Sequence, residues 1–343
     1  MKIAKGKLQT SSIRVRFFHF AFFNLHSAFC NNMAELSLAE ELKLIPGLRV
    51  KLDEPLARYT TMKIGGPADY FLDVETNAAL IEALRLLGAH RIPFCLLGKG
   101  SNVLVSDLGV RGAVLRLGGE FKRVSWREEG ESALVDVGAA YAVTQLVREA
   151  ARRGYGGLEF AEGIPGSVGG ALVMNAGAYG SEMEKIVEAV EGVTAAGAAI
   201  RFHRDQMVFT YRDSHLPSGA IVTGVRMKLQ KRDAAEVSTK VRELVSKRKQ
   251  SQPGGYPNSG SMFRNPPGDF AGRLIETAGL KGKRIGNAEI SSRHANFMVN
   301  LGGARAEDVK SLMELAQSTV REKFGVELSP EVKLLGEWPA SRQ

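Results

Sequence analysis

Cysteine is scarce in this chain: 343 residues contain only Cys30 and Cys95. With no CxxC pair, no zinc-type spacing and no even framework for disulfides, a stapled extracellular fold is excluded and a reduced compartment, the cytoplasm, is expected. No metal site is expected either. Long apolar runs are also missing, since none approaches the ~18 residues needed to cross a bilayer, and no membrane role is expected. There is no internal repeat and no low-complexity tract, so the chain does not read as disordered or collagenous. Acidic residues are absent from the first 34 positions. There Lys2, Lys5, Lys7, Arg14 and Arg16 supply +5 of the total net charge of +9, leaving +4 for the other 309 residues. Those charges are interspersed. They suit a substrate with phosphates and a carboxylate, or a solvated surface with no partner. No aromatic–basic RNA motif is present, so nucleic acid is not expected.

The same 34 residues are rich in Phe, but His19, Asn24, His26 and Ser27 break the stretch. A signal peptide needs an apolar core of about 7–15 residues. The composition permits a transit peptide. The abrupt change after Met33 to Ala34-Glu35-Leu36-Ser37-Leu38 reads as the start of an amphipathic helix and favours translation beginning at Met33. Residues 1–34 are therefore read as an extension, disordered or never translated, and are left out of the fold.

What is there is an ordinary globular composition, 44% hydrophobic and 24% charged, long enough for two or three domains. Apolar residues at helical spacing predict helices over 78–89, 142–152, 234–250, 270–278 (capped by Asp269) and 306–324. Short runs predict strands over 94–97, 103–105, 114–117, 133–137, 186–194, 200–203, 221–229 and 332–335. Residues 56–71 read as extended, with a turn at Gly65-Gly66-Pro67. Helices and strands mix without βαβ alternation, which predicts an α+β fold rather than a doubly wound sheet. Composition shifts near 231, giving expected domains over 35–231 and 232–338.

Two glycine-rich stretches stand out. Gly98-Lys99-Gly100-Ser101-Asn102 follows a strand, where backbone N–H groups could wrap an anion. It lacks the spacing of a dinucleotide fingerprint or a P-loop, and a plain tight turn fits equally well. Gly163 to Gly180 holds six glycines at 163, 166, 169, 170, 177 and 180. Such density requires close backbone packing or close approach to a ligand, and two such loops could hold the phosphates and adenine of a dinucleotide. Tyr211-Arg212-Asp213-Ser214 allows Arg212 to be held by Asp213 and aimed at an anion, or to lie in a surface turn. Asp213, Ser214 and His215 are consecutive and cannot form a hydrolytic triad. Ser261, flanked by Gly260, suits a proton donor or a turn. His294 and Glu331 are each a lone polar residue at a strand.

The order of these motifs is specific. Thr61-Met62-Lys63-Ile64-Gly65-Gly66, Gly98-Lys99-Gly100-Ser101-Asn102, Gly163-Ile164-Pro165-Gly166-Ser167-Val168-Gly169-Gly170 and Asn175-Ala176-Gly177-Ala178-Tyr179-Gly180 resemble the FAD-binding half of the UDP-N-acetylenolpyruvoylglucosamine reductase family. Tyr211-Arg212-Asp213-Ser214, Gly260-Ser261-Met262-Phe263-Arg264-Asn265-Pro266, His294-Ala295-Asn296-Phe297 and Pro330-Glu331-Val332 continue the resemblance, which covers about residues 42–336. Arg264 stands where the family often has Lys. No extra loop with a capping Tyr lies near the 221 strand, as in the family's shorter form.

The resemblance implies an FAD-binding domain of the vanillyl-alcohol oxidase type followed by a smaller α+β substrate domain. It implies FAD held by Gly98, Lys99, Gly100, Ser101, Asn102, Ile164, Gly166, Ser167, Gly169, Asn175, Gly177 and Ala178, with NADPH as hydride donor. The implied substrate is UDP-N-acetylglucosamine enolpyruvate, reduced to UDP-N-acetylmuramate for the bacterial cell wall by a monomeric enzyme. Hydride passes from NADPH to the flavin and then to C3 of the enolpyruvyl ether, and C2 is protonated. Negative charge grows on the substrate carboxylate, so a fixed cation and a donor must wait there. By resemblance these are Arg212 and a protonated Glu331, whose pKa burial would raise. Ser261 is the implied proton donor, and Tyr179, Asn265 and His294 are implied substrate contacts.

Overall fold

The longest helix, Ala306–Phe324, is formed where the periodicity predicts it. Val309, Leu312, Met313, Ala316 and Val320 line one side and are buried. Gly325, at φ 67°, closes the helix in the left-handed conformation that favours glycine. The helix starts on a side chain two hundred residues away: the Asp107 carboxylate accepts the N–H groups of Ala306 and Glu307. This computed structural model describes residues 36–339. The reading of residues 1–34 as an extension lies outside the described residues.

Two sheets build the first part of the chain. One runs in the order Leu48–Pro55, Pro67–Val74, Val110–Leu117, Phe94–Leu96. The first pair is antiparallel and the other two pairings are parallel. The other is antiparallel, in the order Ala199–His203, Val187–Val193, Ile221–Lys231, Ser132–Gly138, Val124–Glu129. From Val225 to Gln230 the alternation holds, with Val225, Met227 and Leu229 buried and Lys228 exposed, but at the start of the strand Ile221 and Val222 are both buried, beside a register shift at Glu191/Gly192. Helices Asn77–Ala89 and Val143–Arg153 contribute Leu80, Leu84, Leu87, Leu146 and Val147 to a core shared by both sheets. The mixed, non-alternating content is the α+β architecture expected.

A third, four-stranded sheet lies in the second part, ordered Asn258–Ser261, Phe297–Asn300, Ala288–Ile290, Arg284–Ile285. It packs with Ala306–Phe324 in a second core. That core also takes Met62, Ile64 and Leu104 from the first part. Conversely, Val237 and Val241 of helix Ala234–Ser251 join the first core, although the helix follows the expected boundary at 231. Strand Lys333–Leu335 returns to pair in parallel with Val103–Val105. The two parts are thus interleaved, and the chain from Leu38 onward packs as one unit.

Three local expectations are corrected. Residues 56–71 are not continuously extended: Leu56–Tyr59 is a 3-10 turn and the strand begins at Pro67. Asp269 does not cap the next helix. It accepts the N–H of Phe270, ahead of the helix, and pairs with Arg273, while Asn265 Oδ1 accepts the N–H of Ala271, the first helical residue. Strands Leu48–Pro55 and Val124–Glu129 were not foreseen, nor were the four strands of the third sheet. The first two expose much of their charged length, so neither carries a run of apolar residues; those of the third sheet are two to four residues long.

Candidate active site

The two glycine stretches face one another. A Cβ on Gly98 would lie 2.8 Å from Ser167 Oγ, and one on Gly166 would lie 3.5 Å from Ser101 Oγ. Ser167 caps the short helix Val168–Val173 by accepting the N–H of Gly170. Gly169 presses on Ala139, with its Cβ position 2.8 Å from that methyl. The backbone N–H groups of Gly98, Lys99, Gly100, Ser101 and Asn102 make no hydrogen bond within the described residues. A run of unbonded N–H groups is the concavity that binds a diphosphate. These residues therefore fit the diphosphate of FAD: the loops are bare of side-chain bulk where they meet, and their donors are unspent.

Asn175 is fully buried in a left-handed conformation, φ 37°. Its Nδ2 donates to Thr210 O and its Oδ1 accepts from Glu184 N, which ties the 175–180 loop to the 210–215 turn. Gly177 O accepts from Arg212 Nη2 at 3.2 Å. Ile164 and Ala178 are half-buried in the same stretches.

Glu331 is where the distant motifs meet. Arg212 Nε donates to Glu331 Oε1 at 3.1 Å, and both side chains are largely buried, 19% and 17% exposed. Glu331 N donates to Met262 O, beside Ser261, and Arg264 N donates to Ser329 O. Asn102 of the first glycine loop donates its Nδ2 to Glu331 O and accepts from Lys333 N. Asn102 and Met262 thus hold the Glu331 backbone, and Arg212, itself tied to Gly177, meets its carboxyl. Burial pushes that carboxyl above the ordinary carboxylate range, against the opposing pull of Arg212 and Arg264. Ser261 Oγ, half-buried, makes no hydrogen bond within the described residues.

Asp213 does not hold Arg212, which was one of the two readings of the motif. It accepts the N–H of His215, and Glu331 and Gly177 hold the guanidinium. Arg212 sits at φ 62° and Tyr179 at φ 55°, backbone conformations uncommon for such residues. Tyr179 is exposed. His294 packs into the second part: Nδ1 accepts Asn296 N, the ring meets Phe297 edge-on, and Gly272 leaves room for it. Burial pushes its pKa down, and none of its hydrogen bonds reaches the Arg212–Glu331 pair. Asn265 spends its oxygen on Ala271.

Sequence reasoning missed Thr61 and Arg248. Thr61 Oγ1 donates to Asn258 O at 2.7 Å and lies 3.3 Å from Gly100 O, lashing the first glycine loop to the strand of Ser261. Arg248 donates to Gly163 O and lies over the Tyr179 ring, 6.0 Å from its centroid. Thr61 falls inside a quoted motif. Arg248 lies in a charged helix with no signal to separate it from its neighbours.

Fold and loops together define a flavoprotein: the model of an FAD binding domain matches residues 68–203, and that of the UDP-N-acetylenolpyruvoylglucosamine reductase C-terminal domain matches residues 252–335. A UDP-N-acetylenolpyruvoylglucosamine reductase of Symbiobacterium thermophilum is 47% identical over 306 residues, 88% of this chain and 98% of that protein. One from Rubrobacter xylanophilus is 45% identical over 289 residues, 84% of this chain and 95% of its own. The crystal structure of the Thermus caldophilus reductase superposes with a TM-score of 0.73 at 43% identity, covering 84% of this chain and 99% of that one. The chain belongs to the UDP-N-acetylenolpyruvoylglucosamine reductase family.

Proposed function

We propose that this chain reduces UDP-N-acetylglucosamine enolpyruvate to UDP-N-acetylmuramate, a step in making peptidoglycan precursors. The observation that carries the reading is the convergence on Glu331 of the cofactor loop, through Asn102, of the Ser261 strand, through Met262, and of Arg212. When bound, FAD would supply the hydride-transfer chemistry between NADPH and the enolpyruvyl C3. The loops 98–102 and 163–170 hold the cofactor, with Ile164, Gly166, Ser167, Gly169, Asn175, Gly177 and Ala178 in the second stretch.

Arg212 is placed to receive the charge that grows on the substrate carboxylate. Glu331, whose carboxyl burial pushes above the ordinary carboxylate range against the pull of Arg212 and Arg264, donates in its protonated form a hydrogen bond to the developing enolate. Ser261 Oγ, with no bond to spend elsewhere, delivers the proton to C2. Tyr179 contributes an exposed ring at the mouth of the loop. Asn265 and His294 contribute by ordering helix Ala271–Thr277 and the 294–297 turn, with any contact to the sugar secondary. Cys95 is a free thiol and no helix among the described residues is long and apolar enough to cross a membrane. We take the enzyme to work as a monomer in the cytoplasm.

The test is an anaerobic titration followed at the flavin absorbance. NADPH bleaches the protein and UDP-N-acetylglucosamine enolpyruvate restores the colour. Ser261→Ala leaves bleaching intact and slows recovery by roughly 10²–10⁴-fold, the range of a general acid. A protein that carries no flavin, or bleaches and never recovers with this substrate, sinks the reading.

A further inference from the structure

Arg264 has an unfinished role. Its backbone is fixed by donation to Ser329 O. Its Nη2 reaches Arg212 O at 3.4 Å, the outer limit of a hydrogen bond. Its Nε–H is buried and has no acceptor within the described residues. A buried donor without a protein partner is costly, so it calls for an acceptor from outside the chain, a water or a ligand.

The local charges point the same way. Arg264 acts electrostatically on both Glu331 and Asp213, and Lys333 acts on Asp213. Arg212 and Arg264 thus act on Glu331, and His215, Lys333 and Arg264 on Asp213; with His215 neutral, three cations stand against two carboxylates. One cation is in excess, and two once Glu331 holds a proton. An unmade hydrogen bond and a surplus positive charge at one place both call for an anion. The cofactor's diphosphate has its own cradle of backbone N–H groups at 98–102. The anion left to place is the one that belongs beside Arg212.

We propose that Arg264 is a second anion-receiving residue, which holds the enolpyruvyl carboxylate together with Arg212. The proposal rests on reading the chain as an enolpyruvyl reductase. Two guanidinium groups on one carboxylate fix its plane as well as neutralise it. The reacting carbons are then held in register with Ser261, which ends its strand three residues before Arg264. What the position requires is positive charge at this reach, so Lys serves in part and a neutral side chain does not.

The experiment compares flavin-loaded wild type, Arg264→Gln and Arg264→Lys. Two quantities are read: the rate of reoxidation of the NADPH-reduced flavin by UDP-N-acetylglucosamine enolpyruvate across concentrations, and the Kd for UDP-N-acetylglucosamine, which lacks the carboxylate. For Arg264→Gln the reoxidation efficiency falls by about 10²-fold, as when a charge-stabilising donor is removed, while the Kd for UDP-N-acetylglucosamine stays within about threefold. Arg264→Lys recovers most of the loss. Arg264→Met, neutral and of similar length, replaces the Gln variant if that variant fails to load flavin. Reoxidation at the wild-type rate in a neutral variant overturns the proposal. So does an equal loss of affinity for the carboxylate-free sugar nucleotide, which would assign Arg264 to the phosphates. Failure of the wild type itself to reoxidise overturns the reductase reading beneath it.

Discussion

Gly100→Ala is the sharpest probe of the cofactor cradle. Gly100 sits at φ +63°, and a Cβ there would lie 2.1 Å from Tyr59 O and 2.8 Å from Thr60 Cα. Both obstacles are backbone, so no side chain can swing aside. Tyr59 itself is pinned: its ring stacks on Phe71 at 4.2 Å, and its hydroxyl bonds Glu54 and Lys51. The left-handed conformation costs a non-glycine residue ~1–2 kcal/mol, and overpacking adds ~1–3 kcal/mol. The sum, ~2–5 kcal/mol, corresponds to a melting point lower by about 3–7 °C for a chain this size. The Gly100 carbonyl, held by Thr61, must move, and the unbonded N–H groups beside it move too. Flavin affinity therefore falls by at least about tenfold, each tenfold being ~1.4 kcal/mol. Thermal melts of the apoprotein and a flavin-fluorescence titration measure the two effects. Gly88→Ala is the control: this helical glycine has nothing within 4 Å of its Cβ position, so Ala there stabilises by ~0.5–1 kcal/mol. If Gly100→Ala melts like the wild type and binds FAD unchanged, the packing of the 59–60 and 98–102 segments does not shape the site.

Other outcomes follow from the packing. Glu331→Gln makes the stability difference from wild type pH-dependent. Burial raises the carboxyl's pKa, so the wild type's advantage from the protonated form is complete below the unfolded value, ~4.5, and is lost as pH rises through the folded one. Melts from pH 4.5 to 8 should show the Gln variant gaining on wild type toward alkaline pH, and a pH-independent difference would refute the burial argument. Asn296→Ala removes a bidentate tie, Oδ1 from Phe263 N and Nδ2 to Phe263 O, and should cost ~2–4 kcal/mol by denaturant titration because the buried Phe263 groups are left unpaired. Leu312→Ala, fully buried on the long helix, should cost ~2–5 kcal/mol on the same assay.

The legible parts of the fold were those with strong one-sided periodicity. Helix Ala306–Phe324 buries a single face, as does strand Ile221–Lys231 from Val225 to Gln230, and their residues say so. Strands Leu48–Pro55 and Val124–Glu129 expose most of their charged side chains and are held by backbone pairing, which leaves no apolar signature. The 56–71 stretch misled because a 3-10 turn and an extended run share the same composition. At the site, residue types were readable and partners were not. Arg212 and Glu331 lie 119 positions apart, and nothing local to Arg212 distinguishes Glu331 from the adjacent Asp213 as its partner. Positive φ at Arg212 and Tyr179 falls on residue types that do not favour it, so no sequence rule reaches it. The order of the motifs, rather than any one of them, pointed to the family.

Strand Lys333–Leu335 pairs with Val103–Val105 and delivers Glu331 to the glycine loop. The ribosome makes these partners some two hundred residues apart, so a nascent chain that has completed both sheets of the first part still has an unfinished pocket. A product stopped short of residue 331 would keep both sheets of the first part and its glycine loops, and would lack the carboxyl that pairs with Arg212.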